Sequence, residues 1–418
     1  MINLPFNGIQ KSTQMNVPYF RPSIDDAESA AVNRVLSSGW LTTGPIAKQF
    51  ETRFASFLGK RYAVAVNSCT AALHLALEAA GVGQGDLVLV PTMTFAATAE
   101  VVHYLGARPV LVDGASDTLC IDPDALERAA NYWGERGRLR AIVPMHYGGQ
   151  MADMFKISKF ARQMGIAVIE DSAHALPSFI REREGRPWQA VGSMSLASCF
   201  SFYANKCITT GEGGMILTDD LELADRTRVM SLHGLSKDAW KRFETRASWY
   251  YEILQPGFKY NLTDLAASIG CAQLEKANEF WRRRRSIAFR YSQRLALYDD
   301  ILELPFERND CVSSWHLYPV RLRLENLAID RAEFIELLKE RGIGCSVHWM
   351  PLHMHPFYKQ TYGYRDDDFP VAAAEWPRLI SLPIFPSMTS EELDYVCDSI
   401  VEVGRNNRAK KALLQVPA

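Results

Sequence analysis

Between residues 62 and 169 the chain alternates short, unbroken apolar runs with stretches of helical periodicity, and few architectures accommodate that pattern. The runs Tyr62–Val66, Leu87–Val90, Pro109–Val112, Ala141–Pro144 and Ala167–Ile169 read as strands. Helical stretches such as Ala71–Ala80 and Thr98–Leu105 separate them. A strand with no polar alternation must be covered on both faces, which predicts a parallel sheet sandwiched by helices. Ligands of such sheets bind beyond the carboxyl ends of the strands, so residues just after the runs carry most weight. At 418 residues the chain has room for this unit and a smaller one. Ahead of the alternation, residues 24–39 predict an amphipathic helix stopped at Gly39, followed by a turn and a second helix through Phe57. After Lys206, Met215–Thr218 predicts one more strand, paired with Ala197–Phe200.

A long helix from Leu262 bridges to the smaller unit. There Leu317–Leu322 and Gly344–Val347 read as strands, and Arg331–Arg341 and Ser390–Val403 as helices. This predicts an α+β cap, with the chain dividing into 1–270 and 271–418. Lysine plus arginine number 46 against 48 aspartate plus glutamate, a net charge of −2, so no global field attracts nucleic acid or an anionic membrane. The basic run Arg282–Arg285 reads as a solvated helix face. Eight scattered cysteines with no C-x-x-C pair predict a reduced cytoplasm and no metal. The first residues, MINLPFNGIQKSTQ, lack the apolar core of a leader.

Three constellations sit at the expected strand ends. Glu170-Asp171-Ser172-Ala173-His174 places a carboxylate where it can face a ligand or cap the next helix. Phe200 to Lys206, closed by Gly211-Glu212-Gly213-Gly214, places a lysine on a turn in an aromatic surround, where it is either solvated or a Schiff-base amine of lowered proton affinity. Asn67-Ser68-Cys69-Thr70-Ala71 opens a helix after a strand, either as a plain cap or as a phosphate cradle. Gly81-Val82-Gly83-Gln84-Gly85 fails as a dinucleotide fingerprint, because it follows a helix and precedes a strand. A phosphate cradle, an acid that keeps a pyridine nitrogen protonated and an imine-forming lysine together suit pyridoxal phosphate.

With those three in hand, the sequence resembles the DegT/DnrJ/EryC1/StrS sugar aminotransferases from about Pro18 to Val403. The matching segments are SGWLTTGP (38–45), NSCTAALHLAL (67–77), PTMTFAAT (91–98), EDSAHA (170–175), FSFYANKCITTGEGG (200–214), PGFKYNLTDLAASIGCAQL (256–274) and VHWMPLH (347–353). The resemblance implies a fold type I pyridoxal-phosphate transferase with a mostly parallel central sheet in its large domain. It implies Lys206 as the Schiff-base lysine, Asp171 as the pyridinium partner and Phe95 as the aromatic stacked on the ring. Thr70, the Ala71 backbone and Ser201 would hold the phosphate, with Asn261 reaching it from the other subunit of a homodimer. His174 stands where many members carry Gln, beside the phenolic oxygen. Thr42, Thr43, Lys259 and His348 are candidate contacts for a nucleotide-linked keto sugar, most simply a 4-keto sugar aminated from L-glutamate. A pyridoxal-phosphate enzyme of another reaction type, such as a sugar dehydratase, and a non-catalytic sensory homologue are the rival readings.

Overall fold

The computed structural model describes residues 15–236 and 251–409. The amino-terminal segment read above for a leader and the last nine residues of the tail lie outside them. In chain order, α1 (Asp26–Ser38) and α2 (Pro45–Phe57) precede β1 (Tyr62–Val66), α3 (Cys69–Ala79), β2 (Leu87–Pro91), α4 (Ala96–Tyr104) and β3 (Arg108–Val112). Then come α5 (Pro123–Gly134), β4 (Leu139–Ile142), α6 (Met154–Met164), β5 (Ala167–Asp171), β6 (Phe179–Ile180) and β7 (Gln189–Ala190). The chain continues through β8 (Ala197–Ser201), β9 (Gly214–Thr218), α7 (Leu221–Ser231) and α8 (Asp264–Leu295). It closes with β10 (Leu302–Glu303), β11 (Cys311–Val312), β12 (Tyr318–Leu322), α9 (Arg331–Glu340), α10 (Pro356–Tyr362), α11 (Pro370–Glu375), β13 (Leu379–Leu382) and α12 (Ser390–Asn406).

The major sheet has seven strands in the order β1-β9-β8-β5-β4-β2-β3. Only β9 runs against its neighbours, β1 and β8. The strands read from unbroken apolar runs are buried on both faces, β2 along its entire length. Helix caps follow local chemistry. Asp25 and Glu28 form a capping box on α1, and Gly39 ends that helix at φ 73°, a left-handed conformation that glycine adopts without steric cost. Phe54 of α2 packs edge-on against Phe200 and Phe202, and Phe50 packs at a tilt against Phe202, at centroid distances of 5.1 to 5.5 Å. Burying each ring contributes about 1.5–3 kcal/mol, and the cluster fixes the end of β8 from behind.

Helix α8 links the two cores. Its first half places Ala267, Cys271, Leu274, Ala277 and Phe280 in the large core, and its second half places Ile287, Ala288, Tyr291 and Leu295 in the second. The second core covers a three-stranded sheet, β10-β12-β13, whose pairs are antiparallel. Val17 joins this core from the far end of the sequence, through Val17 N–H to Gly342 O at 2.8 Å. Among the described residues no helix is long and apolar enough to cross a membrane.

Two expectations fail here. Gly344–Val347 is not a strand: it makes a single bridge, Ser346 to Ser381, and the strand beside it is Leu379–Leu382, which pairs with β12. Nor is Arg282–Arg285 a uniformly solvated face. One turn of helix carries its residues around the whole circumference, so Arg284 points inward and is 3% exposed while Arg285 pairs with Glu307.

Candidate active site

Beyond the carboxyl ends of β1, β5 and β8 lies a cavity of about 350 Å³. Its floor is the entry to α3. Ser68 is the N-cap, accepting from Ala71 N–H at 3.1 Å, and the first intrahelical bond runs from Ala72 N–H to Ser68 O at 3.0 Å. The Cys69 and Thr70 amides precede that bond, so they and the helix dipole offer an anion a positive end. The start of β9 presses against this turn. A Cβ on Gly214 would run into the Ser68 carbonyl, so only glycine lets the two backbones approach this closely. Ser201 lines the same cavity from the end of β8.

Asp171 ends β5, and strand alternation sends it into the cavity while Glu170 faces the other way. One Asp171 oxygen accepts from Thr98 Oγ1 at 2.7 Å and the other from Ala173 N–H at 3.2 Å. Burial raises its proton affinity above the usual carboxylate range, against the pull of Thr98, Ala173, Lys206 and His146. A buried carboxylate facing a cavity with only neutral donors bonded to it suits a cationic partner. Glu170, fully buried, instead meets His146 Nε2 at 2.7 Å and Gly192 N–H at 3.1 Å.

Lys206 sits on the turn between β8 and β9, its amide bonded to Tyr203 O at 2.9 Å. Two threonines brace that turn: Thr209 Oγ1 donates to Phe202 O at 3.0 Å and Thr210 Oγ1 to Glu212 O at 2.6 Å. Burial lowers the proton affinity of Lys206, Cys69, Asp171 and Cys207 oppose the shift, and Arg284 adds to it. A larger share of neutral, nucleophilic amine follows.

Aromatic and imidazole rings close the remaining side. Trp349 stacks on His174 with centroids 5.1 Å apart and 24° between planes, and Phe95, 58% exposed, stands at the mouth 6.3 Å from Trp349. His174 is buried, lacks a partner at Nδ1 and is held neutral chiefly by burial, helped by Lys206, His316, His348 and Arg284. His348 bonds Ser381 Oγ through Nδ1 at 2.8 Å, and burial takes its pKa down to about 3.

Of the residues expected from sequence, Thr70, Phe95, Asp171, His174, Ser201, Lys206 and His348 share this lining. Ala71 stands one residue behind it, its N–H already engaged by Ser68. Thr42, Thr43, Lys259 and Asn261 gather elsewhere, where α2 and α8 begin. Thr43 Oγ1 donates to Leu262 O at 2.5 Å and accepts from Asn261 Nδ2 at 2.6 Å. Thr42 O accepts from Asp264 N–H, and Lys259 is exposed. The cap of α8 is Thr263 rather than Asn261. Sequence reasoning missed Thr98, Trp349 and His316. Thr98 and Trp349 lie inside quoted segments, as the last residue of Pro91–Thr98 and the neighbour of His348; nothing near His316 in the sequence points to the site.

The profile described as the DegT/DnrJ/EryC1/StrS aminotransferase family matches residues 22–401. The spore coat polysaccharide biosynthesis protein SpsC of Bacillus subtilis (strain 168) is 44% identical over 388 residues, 93% of this chain and 97% of that protein. Among solved structures, the putative sugar aminotransferase Spr1654 from Streptococcus pneumoniae in its PMP form superposes with a TM-score of 0.85 at 33% identity, covering 94% of this chain and 100% of that one. The Helicobacter pylori aminotransferase PseC, involved in the biosynthesis of pseudoaminic acid, gives a TM-score of 0.83 at 27% identity, with 94% and 100% covered.

Proposed function

The chain belongs to the DegT/DnrJ/EryC1/StrS aminotransferase family and is a pyridoxal-phosphate-dependent sugar aminotransferase; from that premise we propose that it moves an amino group from L-glutamate to a nucleotide-linked 4-keto sugar. The carrying observation is one cavity that joins a helix-entry anion cradle, a buried carboxylate without a cationic hydrogen-bond partner and a largely buried lysine. These groups fit pyridoxal phosphate. The cofactor, when bound, supplies an electron sink for the carbon that exchanges its amino group.

In this proposal Asp171 holds the proton on the pyridine nitrogen, with Thr98 fixing its carboxylate. Lys206 would anchor the cofactor, and its Nζ would move the proton at the reacting carbon. The Cys69 and Thr70 amides, the Thr70 hydroxyl and Ser201 would hold the phosphate, and the Ala71 backbone would join them only by releasing Ser68 Oγ; Phe95 would cover the ring, and neutral His174 would offer one nitrogen to the phenolic oxygen. His348 contacts the sugar. Asn261, Lys259, Thr42 and Thr43 lie outside the lining of their own cavity, which accords with service to the partner's site in a cytoplasmic homodimer. The similarity to SpsC favours an amino sugar destined for a polysaccharide.

A two-stage experiment tests the reading. The holoenzyme is treated with L-glutamate, freed of donor, and then given UDP-, dTDP- or GDP-linked 4-keto sugars, or ordinary 2-keto acids. Glutamate should bleach the visible cofactor band and a keto sugar should restore it, with an amino sugar detected by mass. Restoration by 2-keto acids alone would overturn the proposal. Borohydride reduction should fix the cofactor on the peptide carrying Lys206.

A further inference from the structure

Arg284 is the residue of the Arg282–Arg285 run that turned inward, and its surroundings are unusual for a buried cation. It is 3% exposed. Its Nη1 donates to three main-chain carbonyls, Ile384 O at 2.9 Å, His316 O at 3.2 Å and Trp315 O at 3.5 Å, and its Nε has no partner. No carboxylate among the described residues pairs with it. Buried Arg321 shows the ordinary solution, pairing with Glu303 at 3.0 Å and Glu375 at 2.8 Å. An unpaired buried charge is costly and needs a reason to persist.

The surroundings supply one. Arg284 and Lys206 line the same small pocket behind the cavity, along with Ser23, Asn205 and Arg21; no carboxylate contributes to that lining, and Arg21 has its own partner in Glu392 at 2.9 Å, which Arg284 lacks. The carbonyls that hold the guanidinium belong in part to the loop carrying His316, whose ring lies 4.2 Å from that of His174. The loop is tied to the same histidine again by Ser314 Oγ donating to His174 O. Arg284 therefore stands at the back of a column that runs through His316 and His174 to Trp349 at the cavity wall.

We propose that Arg284 is a positioning residue of this site, a permanent cation clamped by main-chain carbonyls behind Lys206 that adds to burial in disfavouring a positive charge on the lysine and on the imidazoles of the column. Burial is the larger influence on each group, and on Lys206 Arg284 adds to it against the pull of Cys69, Asp171 and Cys207. Lys206 faces Cys69 of α3, Asp171 of β5, Cys207 of its own turn and Arg284 of α8. His174 and His316 face Lys206, Arg284 and His348, and His348 faces Lys206. Arg284 itself faces Tyr19 and Cys207. Repulsion by a fixed positive charge disfavours protonation of Lys206, His174 and His316 alike.

The inference rests on Lys206 being the cofactor lysine, which the borohydride label checks separately. The test is a pH titration of the visible absorbance of the holoenzyme, in the native protein and in Arg284→Gln, Arg284→Met and Arg284→Lys. Removing a positive charge raises the proton affinity of its neighbours, so both neutral variants should titrate at a midpoint about one pH unit more alkaline. Arg284→Lys keeps the charge and should titrate as the native protein does. Neutral variants that titrate normally, or a lysine variant displaced as far as the glutamine one, would overturn the proposal. Failure of both neutral variants to fold would leave Arg284 a structural clamp and overturn it equally. A cofactor label that leaves Lys206 would instead sink the underlying assignment.

Discussion

Asp171 and Glu170 are chain neighbours with opposite surroundings. Glu170, on the covered face of β5, is bonded to His146 and to a backbone amide, while Asp171 faces the cavity with only Thr98 and Ala173 as donors. Burial raises the Asp171 carboxyl, and a protonated pyridine ring beside it would return it to the ionised form by direct charge attraction. Asp171→Asn keeps the shape and the Thr98 contact but cannot balance that charge. Turnover should fall about 10²–10³-fold, the range for losing one preorganised electrostatic contact, while the melting temperature stays near native. Activity within a few-fold of native would remove Asp171 from the proton-holding role. Lys206 and Asp171 were legible as candidates because each follows an apolar run, where a parallel sheet opens to ligands. Thr98, which fixes the carboxylate, was not. A threonine on a helix reads as ordinary surface or core until the fold brings it across the sheet.

At the scale of elements, the parallel strands were readable because burial on both faces writes an unmistakable apolar run. The second sheet was less so. Leu379–Leu382 is four residues between Pro377 and Pro383 with a serine inside and pairs with β12, whereas Gly344–Val347 carries a better strand composition yet makes one bridge to the far edge of β13, at Ser346, its Gly344 N–H going instead to Val17 O. Pairing decided the outcome where composition could not. The helix entries hide a further non-local device. Gly44, the N-cap of α2, has no side chain to cap with, and Asp264, in the first turn of α8, reaches across instead. Its carboxylate accepts from Gly44 N–H at 2.8 Å, Ile46 N–H at 3.1 Å and Ala47 N–H at 2.8 Å. One buried side chain thus caps a helix some 220 residues away in sequence. Asp264→Ala should lower the unfolding free energy by about 2–4 kcal/mol, since it strands buried amides and loses charge-assisted bonds; Asp264→Asn, which keeps one acceptor, should cost roughly half as much. Denaturant titration measures both, and equal losses in the two variants would show that the capping account is wrong.

The whole molecule gathers imidazoles that the sequence scatters. His174 follows β5, His316 precedes β12, and His348 and His353 follow α9; packing of the two cores buries all four. Each is held neutral mainly by burial, His348 at a pKa of about 3, His353 at about 4, and His174 and His316 well below the ordinary value. In the unfolded chain they return to about 6.5. Between those limits the unfolded state binds more protons than the folded one, so stability is fully present above pH 6.5 and falls as the pH drops, for His353 until about 4 and for His348 until about 3. The acid sensitivity is a property of the assembled molecule, since no single element buries these rings. His348→Gln keeps a group able to bond Ser381 but takes up no proton on unfolding. Between pH 6 and pH 4 the unfolding free energy of the native protein should decline more steeply than that of His348→Gln, by up to one proton, or about 1.4 kcal/mol per pH unit. Above pH 7 the two slopes should coincide. Chemical denaturation at closely spaced pH values gives both slopes directly, and parallel lines through the acid range would mean that His348 is charged in the folded protein and that the neutral state is misassigned at the most exposed of the four histidines.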